Sequence, residues 1–409
     1  MKKTTNKPTR SDLSILEQIC KLIPAHEASK IARETGVEGQ SRSIRPWSHV
    51  VGLIYAQLTH SIGLNDVCDS LQLHSGPLSR IRGASAPSRN GLSNANRNRS
   101  SEMAEQLFWR TLEHLRNQSP GFGRGPNRGR AFRFKIPIHV LDSTVLELVA
   151  NCMPWAKHRR RKAAAKTHMR LNLQSLLPEM VIIDTAAEHD NKRARELCAG
   201  LKSGEIGLFD RAYVDFSHLK DLDERQVFWV TRAKENMAYE VLKKMPQSKD
   251  EKIVRDEVIR LKDPDKPAPE LMRRVVALVL VDGLEREMVF LTNNLEWSPR
   301  SVADLYCCRW EIEVFFKQIK QTLQLADFLG NSANAVRWQV WMALLTYLLL
   351  RYLSYLSKWS HSFTRLFTIL RAVLWDKLNL RALLDRYGTA GGHFRNLAQP
   401  EQAYFPGFI

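Results

Sequence analysis

Residues 136–148, IPIHVLDSTVLEL, contain an apolar, β-branched run, IHVLDSTV, into which Asp142 intrudes. The texture predicts a strand, and a carboxylate facing a core is costly unless it meets a metal or a basic partner. Working outward, HMRLNLQSLL (168–177) and MVIIDTAAEH (180–189) predict two further strands. KRARELCAGLKSG (192–204) predicts a helix and EIGLFDRAYV (205–214) a fourth strand. Three strands, a helix and a strand give an α/β domain with a mixed sheet. Asp210 interrupts the fourth strand as Asp142 interrupts the first, 68 positions (210 − 142) away. If the two strands are neighbours, the carboxylates stand side by side and offer the hard oxygen donors that Mg²⁺ prefers. Taken singly, either could be a structural aspartate paired with a nearby arginine.

A third acid lies in LYCCRWEIEVFFKQIKQTL, residues 305–323. Read as one continuous helix, Tyr306, Arg309, Glu313, Lys317 and Lys320 fall within an arc of about 80°. Leu305, Cys308, Ile312, Phe315, Phe316, Ile319 and Leu323 fill an adjoining apolar face. A solvated amphipathic helix explains mixed charge, but less readily a tyrosine and three cations ranged around one glutamate. Three carboxylates, Asp142, Asp210 and Glu313, are a donor set for two metal ions of the kind that catalyse phosphoryl transfer. Tyr306, Arg309, Lys317 and Lys320 are expected to hold phosphates beside the scissile bond.

The rest of the chain divides by texture. Residues 1–118 read as helical, with Trp47, Val50, Val51, Leu53, Ile54 and Leu58 at helical spacing. The stretch SRNGLSNANRNRS (88–100) reads as a polar helix capped by Ser88, and the arrangement resembles a helix-turn-helix. Residues 119–133, SPGFGRGPNRGRAFR, read as a linker. The catalytic core is expected over 134–225 and 299–350, with a β-rich insertion over 226–298 and a helical region over 351–409. The apolar face at Trp338, Trp341, Leu345 and Leu348 predicts a helix docked on that core.

Charge narrows the function. With 61 Lys+Arg against 43 Asp+Glu the net charge is +18, a footprint for a polyanion. Residues 1–133 carry 20 Lys+Arg and 10 Asp+Glu, a balance of +10. The basic run KHRRRKAAAKTHMR (157–170) holds seven Lys/Arg and no acid. Lys157, Arg159, Arg160, Lys166 and His168 are therefore expected along a DNA backbone. Six cysteines lack any metal-ligand spacing and read as apolar fillers. The N-terminal MKKTTNKPTRSDLS lacks the apolar centre of a signal peptide, and Val340–Leu350 falls short of the roughly 20 residues of a spanning helix. A cytoplasmic, nucleoid-associated protein without membrane contact is expected. No G-x-S-x-G, H-E-x-x-H or G-x4-G-K-[ST] occurs, which disfavours serine hydrolases, zinc proteases and P-loop ATPases.

Tyr306, Arg309, Glu313 and Lys320 spell Y-x2-R-x3-E-x6-K. This resembles the signature of bacterial insertion-sequence transposases with a DDE triad, the Y-R-E-K group of insertion-sequence family four. LDSTV (141–145) is similar to the first-Asp block, LFDRAYVDF (208–216) to the second, and residues 289–323 to the third. The resemblance spans residues 133–350, and residues 40–115 resemble the helical domain that often precedes such a core. It implies an RNase H-like core with a β-stranded insertion, and Mg²⁺ dependence, with Mn²⁺ substituting and two ions per site. It also implies cut-and-paste transposition by a homodimer assembled on double-stranded DNA, at terminal inverted repeats and target. Trp310 stands where the family places an aromatic near the DNA end, and Lys166 with His168 resembles its K-x-H. Cys307 and Cys308 depart from the family, where a basic residue is common. A catalytically inactive, DNA-binding relative is the alternative; a phosphatase of the haloacid dehalogenase type is disfavoured because Thr144, not a second Asp, follows Asp142 at the second position.

Overall fold

A computed structural model describes residues 9–40, 44–123, 134–148, 152–159, 162–185, 190–235, 237–262, 267–281, 284–323 and 328–388. The chain opens with helices α1 (Ile15–Cys20), α2 (Ala25–Glu34), α3 (Pro46–Thr59), α4 (Leu64–Leu73), α5 (Ser75–Ser79), α6 (Arg89–Asn98) and α7 (Glu102–Gln118). There follow β1 (Ile138–Leu148), α8 (Met153–Ala156), β2 (Lys157–Arg159), β3 (Lys162–Asn172), β4 (Leu177–Thr185), α9 (Asp190–Cys198), β5 (Ile206–Phe209), α10 (Phe216–Glu224) and β6 (Phe228–Arg232). The chain continues through β7 (Tyr239–Lys244), β8 (Ile253–Leu261), β9 (Met272–Val281) and β10 (Leu284–Thr292). It ends with α11 (Pro299–Cys308), α12 (Glu311–Lys317), α13 (Ala333–Leu356), α14 (Phe363–Ala372) and α15 (Leu380–Gly388). Hydroxyls of Ser14, Ser88, Ser298, Ser332 and Ser362 cap five of these helices by accepting a backbone N–H three residues on.

The described residues form two compact units: those up to Phe122 with those of Leu146–Ala164 and from Lys317 onward, and those of Gly123–Val145 with Ala165–Phe316. The first is helical around α13, which is buried on almost every side and so needs partners all round. They are α3, α6 and α7: the Trp341 ring lies 5.6 Å from Phe108 and 5.9 Å from Trp109, and Trp338 Nε1 donates to the Arg99 carbonyl at 2.8 Å. This corrects the expected organisation. The face bearing Trp338 and Trp341 docks on the N-terminal helices rather than on the sheet, so residues 1–118 are not a free-standing domain and 299–350 divides between the units. Ser88 does cap α6, yet Asn96 and Arg99 turn inward while Arg89, Asn90, Asn94, Arg97 and Asn98 stay exposed. Residues 124–133 of the linker and 389–409 of the C-terminal region lie outside the described residues.

His49 on α3 is fully buried, bonded to Asn96 Oδ1 at 2.8 Å and tilted against Trp338 with ring centroids 4.3 Å apart. Burial holds its imidazole down to about 3, the Asn96 bond opposing and Arg99 assisting. The native side chain therefore stays neutral while an unfolded one takes up a proton below about 6.5. Acidification should cost up to about 1.4 kcal/mol per pH unit through this group. Urea unfolding of wild type and His49→Gln at pH 7 and pH 5 checks this: the variant should lose less stability over the interval, and equal losses would sink the assignment.

The second unit is built on a sheet whose order runs β4-β3-β1-β5-β6-β10-β9-β8-β7, with β2 paired to the start of β3. β1 and β5 are parallel, as are β5 and β6, and the four residues of β5 are all buried, as a strand covered on both faces must be. The β4-β3-β1-β5-β6 half is the 3-2-1-4-5 order of an RNase H-like sheet. Leu197, Leu201, Phe209, Leu219, Leu222 and Trp229 join α9 and α10 to it in one buried cluster. The boundary placed at residue 226 shifts: β6 belongs to the core sheet beside β5, and β10 pairs antiparallel with it, so the β-rich insertion prolongs that sheet.

Candidate active site

Register decides the placement of the two aspartates. Leu141 pairs with Phe209 at the parallel β1–β5 junction, so Asp142 and Asp210 are the next residues on adjacent strands. Asp210 sits at the end of β5, before a single 3₁₀ turn at Arg211–Tyr213. α11 packs on β5, β6, β8, β9 and β10 and brings Tyr306 and Arg309 toward these strand ends. The helix does not run straight through: it ends at Cys308, Arg309 and Trp310 form a tight turn, and α12 begins at Glu311. A five-residue π-helical stretch, Gln318–Thr322, follows. The single helical wheel is thus corrected, although the turn keeps Glu313 beside Arg309.

Arg309 is 3% exposed and joins two of the acids. Its Nη1 donates to Asp142 Oδ2 at 2.9 Å and its Nη2 to Glu313 Oε1 at 2.8 Å. The Ser143 amide donates to Asp142 Oδ1 at 2.7 Å, and the Tyr306 hydroxyl donates to Asp210 Oδ1 at 2.9 Å. Burial pushes the Asp142 carboxyl up to about 6; Arg309 and the Ser143 amide oppose this, while Glu313 and Asp210 add to it. Burial also holds the Tyr306 phenol above its ordinary range, Arg309 opposing and Asp210 assisting. For Arg309 burial acts to lower the value, but Asp142, Tyr306, Glu313 and Asp210 together hold it above the usual range.

The donor chemistry suits a hard divalent cation, since three coupled carboxylates supply oxygens only. The arrangement as it stands does not: among the described residues no three His, Cys, Asp or Glu side chains are grouped to hold one ion. The cation between Asp142 and Glu313 is the Arg309 guanidinium.

The family described as Transposase DDE domain matches residues 133–349, and one described as a domain of unknown function matches residues 11–81. The chain belongs to the transposase DDE-domain family. The transposase y4zB of Sinorhizobium fredii is 29% identical over 273 residues, 66% of this chain and 75% of that protein. The transposase named for insertion sequence element IS5377 of Geobacillus stearothermophilus is 29% identical over 226 residues, 55% of this chain and 58% of that protein. Among solved structures, a piggyBac transposase synaptic complex with hairpin DNA aligns at 10% identity and TM-score 0.47, over 98% of this chain and 88% of that one. Enzymes with this domain depend on divalent metal.

In this DDE transposase the remaining expected site residues fall into three groups. Tyr306, Arg309 and His168 are buried, the first two bonded to acids, so the expectation that they meet phosphates is corrected in this conformation. Burial of long polar side chains is explained for Arg309 and Tyr306 by the carboxylates they neutralise; His168 lies inside β3, opposite Ile182. Lys317 is exposed and Trp310 half-exposed, while Lys320 is half-buried, its ammonium lowered by burial and raised by Glu147. Lys166 is half-buried opposite Asp184, which itself takes two bonds from Arg193. Lys157 and Arg159 lie in β2, but their side chains, and Arg160 altogether, lie outside the described residues. Sequence reasoning missed Arg232, whose charge acts on Tyr306 from the end of β6. The signal was available: Arg232 ends the apolar run VFWVT as Asp210 ends IGLF.

No helix among the described residues is long and apolar enough to cross a membrane. Cys20, Cys68, Cys152, Cys198 and Cys308 are buried and Cys307 is half-buried, all six as free thiols.

Proposed function

We propose that this transposase binds the terminal inverted repeats of its own insertion sequence and catalyses DNA strand cleavage and transfer by a cut-and-paste route. Asp142, Asp210 and Glu313 are its catalytic carboxylates and would hold two Mg²⁺ ions, for which Mn²⁺ would substitute. The observation that carries the reading is the register that sets Asp142 and Asp210 abreast on β1 and β5, with Glu313 tied to Asp142 through one guanidinium. Ions held there would supply neutralisation of phosphate charge and activation of the attacking oxygen. The protein's part is to hold the carboxylates: Tyr306 orients Asp210, and Arg309 and the Ser143 amide orient Asp142.

DNA contact falls to cations that the acids do not engage. Lys317, Lys320 and Lys166, with Lys157, Arg159 and Arg160 of the basic run, touch backbone phosphates, and Trp310 stacks on an exposed base at the DNA end. The outward face of α6, carrying Arg89 and Arg97, adds to the footprint that the +18 charge implies. The protein works as a homodimer on paired ends and target DNA, in the cytoplasm at the nucleoid. Lys317→Ala should weaken end binding and lower the slope of log K against log salt by about one, because it removes one phosphate contact. Titrations of labelled end DNA at several salt concentrations read this, and an unchanged slope would remove Lys317 from the interface.

The deciding experiment is cleavage of DNA carrying the element's own ends, with Mg²⁺ and with EDTA. Nicking at the ends that needs the metal supports the reading. Binding without cleavage under both conditions would instead favour an inactive, DNA-binding protein.

A further inference from the structure

Every acid of the triad already has a donor from the segment around α11. Asp142 gives one oxygen to the Ser143 amide and the other to Arg309; Glu313 takes the second arm of the same guanidinium; Asp210 takes the Tyr306 hydroxyl. The Arg309 Nε finds no acceptor among the described residues, and the side-chain bonds of this buried group go to the two carboxylates. Its charge centre also lies 5.5 Å from the Tyr306 ring, a cation–π contact that fixes the side chain from behind. Like charges this close repel, and a side chain with a fixed fork can bridge two carboxylates where an ammonium meets them as a point charge.

We propose that Arg309 is the resident counter-cation of the triad: a positioning residue that keeps Asp142 and Glu313 converged when no divalent ion is bound, and that must give way before the site can hold one. This rests on reading the three acids as the metal-holding site. Two consequences separate it from a purely structural arginine. Removing the guanidinium frees both carboxylates and removes a competing positive charge, so the site should bind a divalent ion more tightly. The ion should also restore stability that the variant lacks, more than it stabilises wild type.

The test uses the full chain and Mn²⁺ alone as probe, following free Mn²⁺ by electron paramagnetic resonance and thermal unfolding with and without the ion. Wild type, Arg309→Gln, Arg309→Lys and Asp142→Asn are compared. Arg309→Gln is expected to bind Mn²⁺ about tenfold more tightly than wild type, with Arg309→Lys between them and Asp142→Asn weakest. Mn²⁺ should raise the melting temperature of Arg309→Gln further than that of wild type. If Arg309→Gln does not fold without metal, Arg309→Lys decides by the same comparison. Affinity equal to or below wild type in the arginine variants, with Asp142→Asn still weakest, would overturn the counter-cation role and leave the acids standing. Asp142→Asn binding as well as wild type would overturn both.

Discussion

Asp142→Ala, Asp210→Ala and Glu313→Ala should each lower end cleavage by at least about a thousandfold while leaving binding of end DNA within about threefold of wild type. The split follows from the chemistry of the site. On the proposed reading each acid is an oxygen donor to the reaction centre, and a carboxylate repels phosphate, so its removal takes no attraction away from DNA. Glu313→Ala is the cleanest of the three because its side chain is 40% exposed and makes one bond, to Arg309. Asp142→Ala carries a complication, since it leaves a buried guanidinium with a single carboxylate partner. Asp142→Asn beside it separates lost chemistry from lost folding. Single-turnover cleavage and gel-shift titration of the same DNA make the measurement. A variant that cleaves at wild-type rate would exclude its residue from the triad, and binding lost in step with cleavage would indicate misfolding.

The acids were legible because their positions break local rules. An aspartate in IHVLDSTV or IGLFDRAYV contradicts the apolar run around it, and such conflicts concentrate at sites of function. The mixed sheet followed from the same runs, whereas its RNase H-like order was implied by the family resemblance alone. What sequence did not disclose is which partner a cation meets. Arg309 and Lys317 share one arc of an ideal wheel, yet the first is buried against carboxylates and the second faces solvent. A tight turn at Arg309–Trp310, unsignalled by any glycine or proline, produces that difference. The docking of α13 departs from the sequence expectation for a related reason. A long apolar helix announces burial, but periodicity carries no information on which partner buries it, and here the N-terminal helices, distant in sequence, do so. Likewise β6 reads as an ordinary strand, and its membership of the core depends on pairing with β5.

The second large effect is expected far from the acids, at Arg273. This residue is 3% exposed on β9, and its guanidinium forms a two-armed pair with Asp256 of β8, Nε to Oδ1 at 2.8 Å and Nη2 to Oδ2 at 2.6 Å. The remaining arm donates to the carbonyls of Leu295 (3.1 Å) and Trp297. Those carbonyls belong to the segment leading into Ser298, the cap of α11, and α11 is the helix that delivers Tyr306 and Arg309. Arg273→Ala therefore strands a buried carboxylate and two backbone acceptors at once, and should cost about 3–5 kcal/mol of stability in urea unfolding. Replacing the pair by Arg273→Met with Asp256→Leu should recover much of the loss, because no charge is then left unpaired; the two carbonyls would still lack their donor, so cleavage should recover less than stability does. A loss below about 1 kcal/mol for Arg273→Ala, far under the usual cost of an uncompensated buried charge, would show that the insertion does not brace the entry to α11.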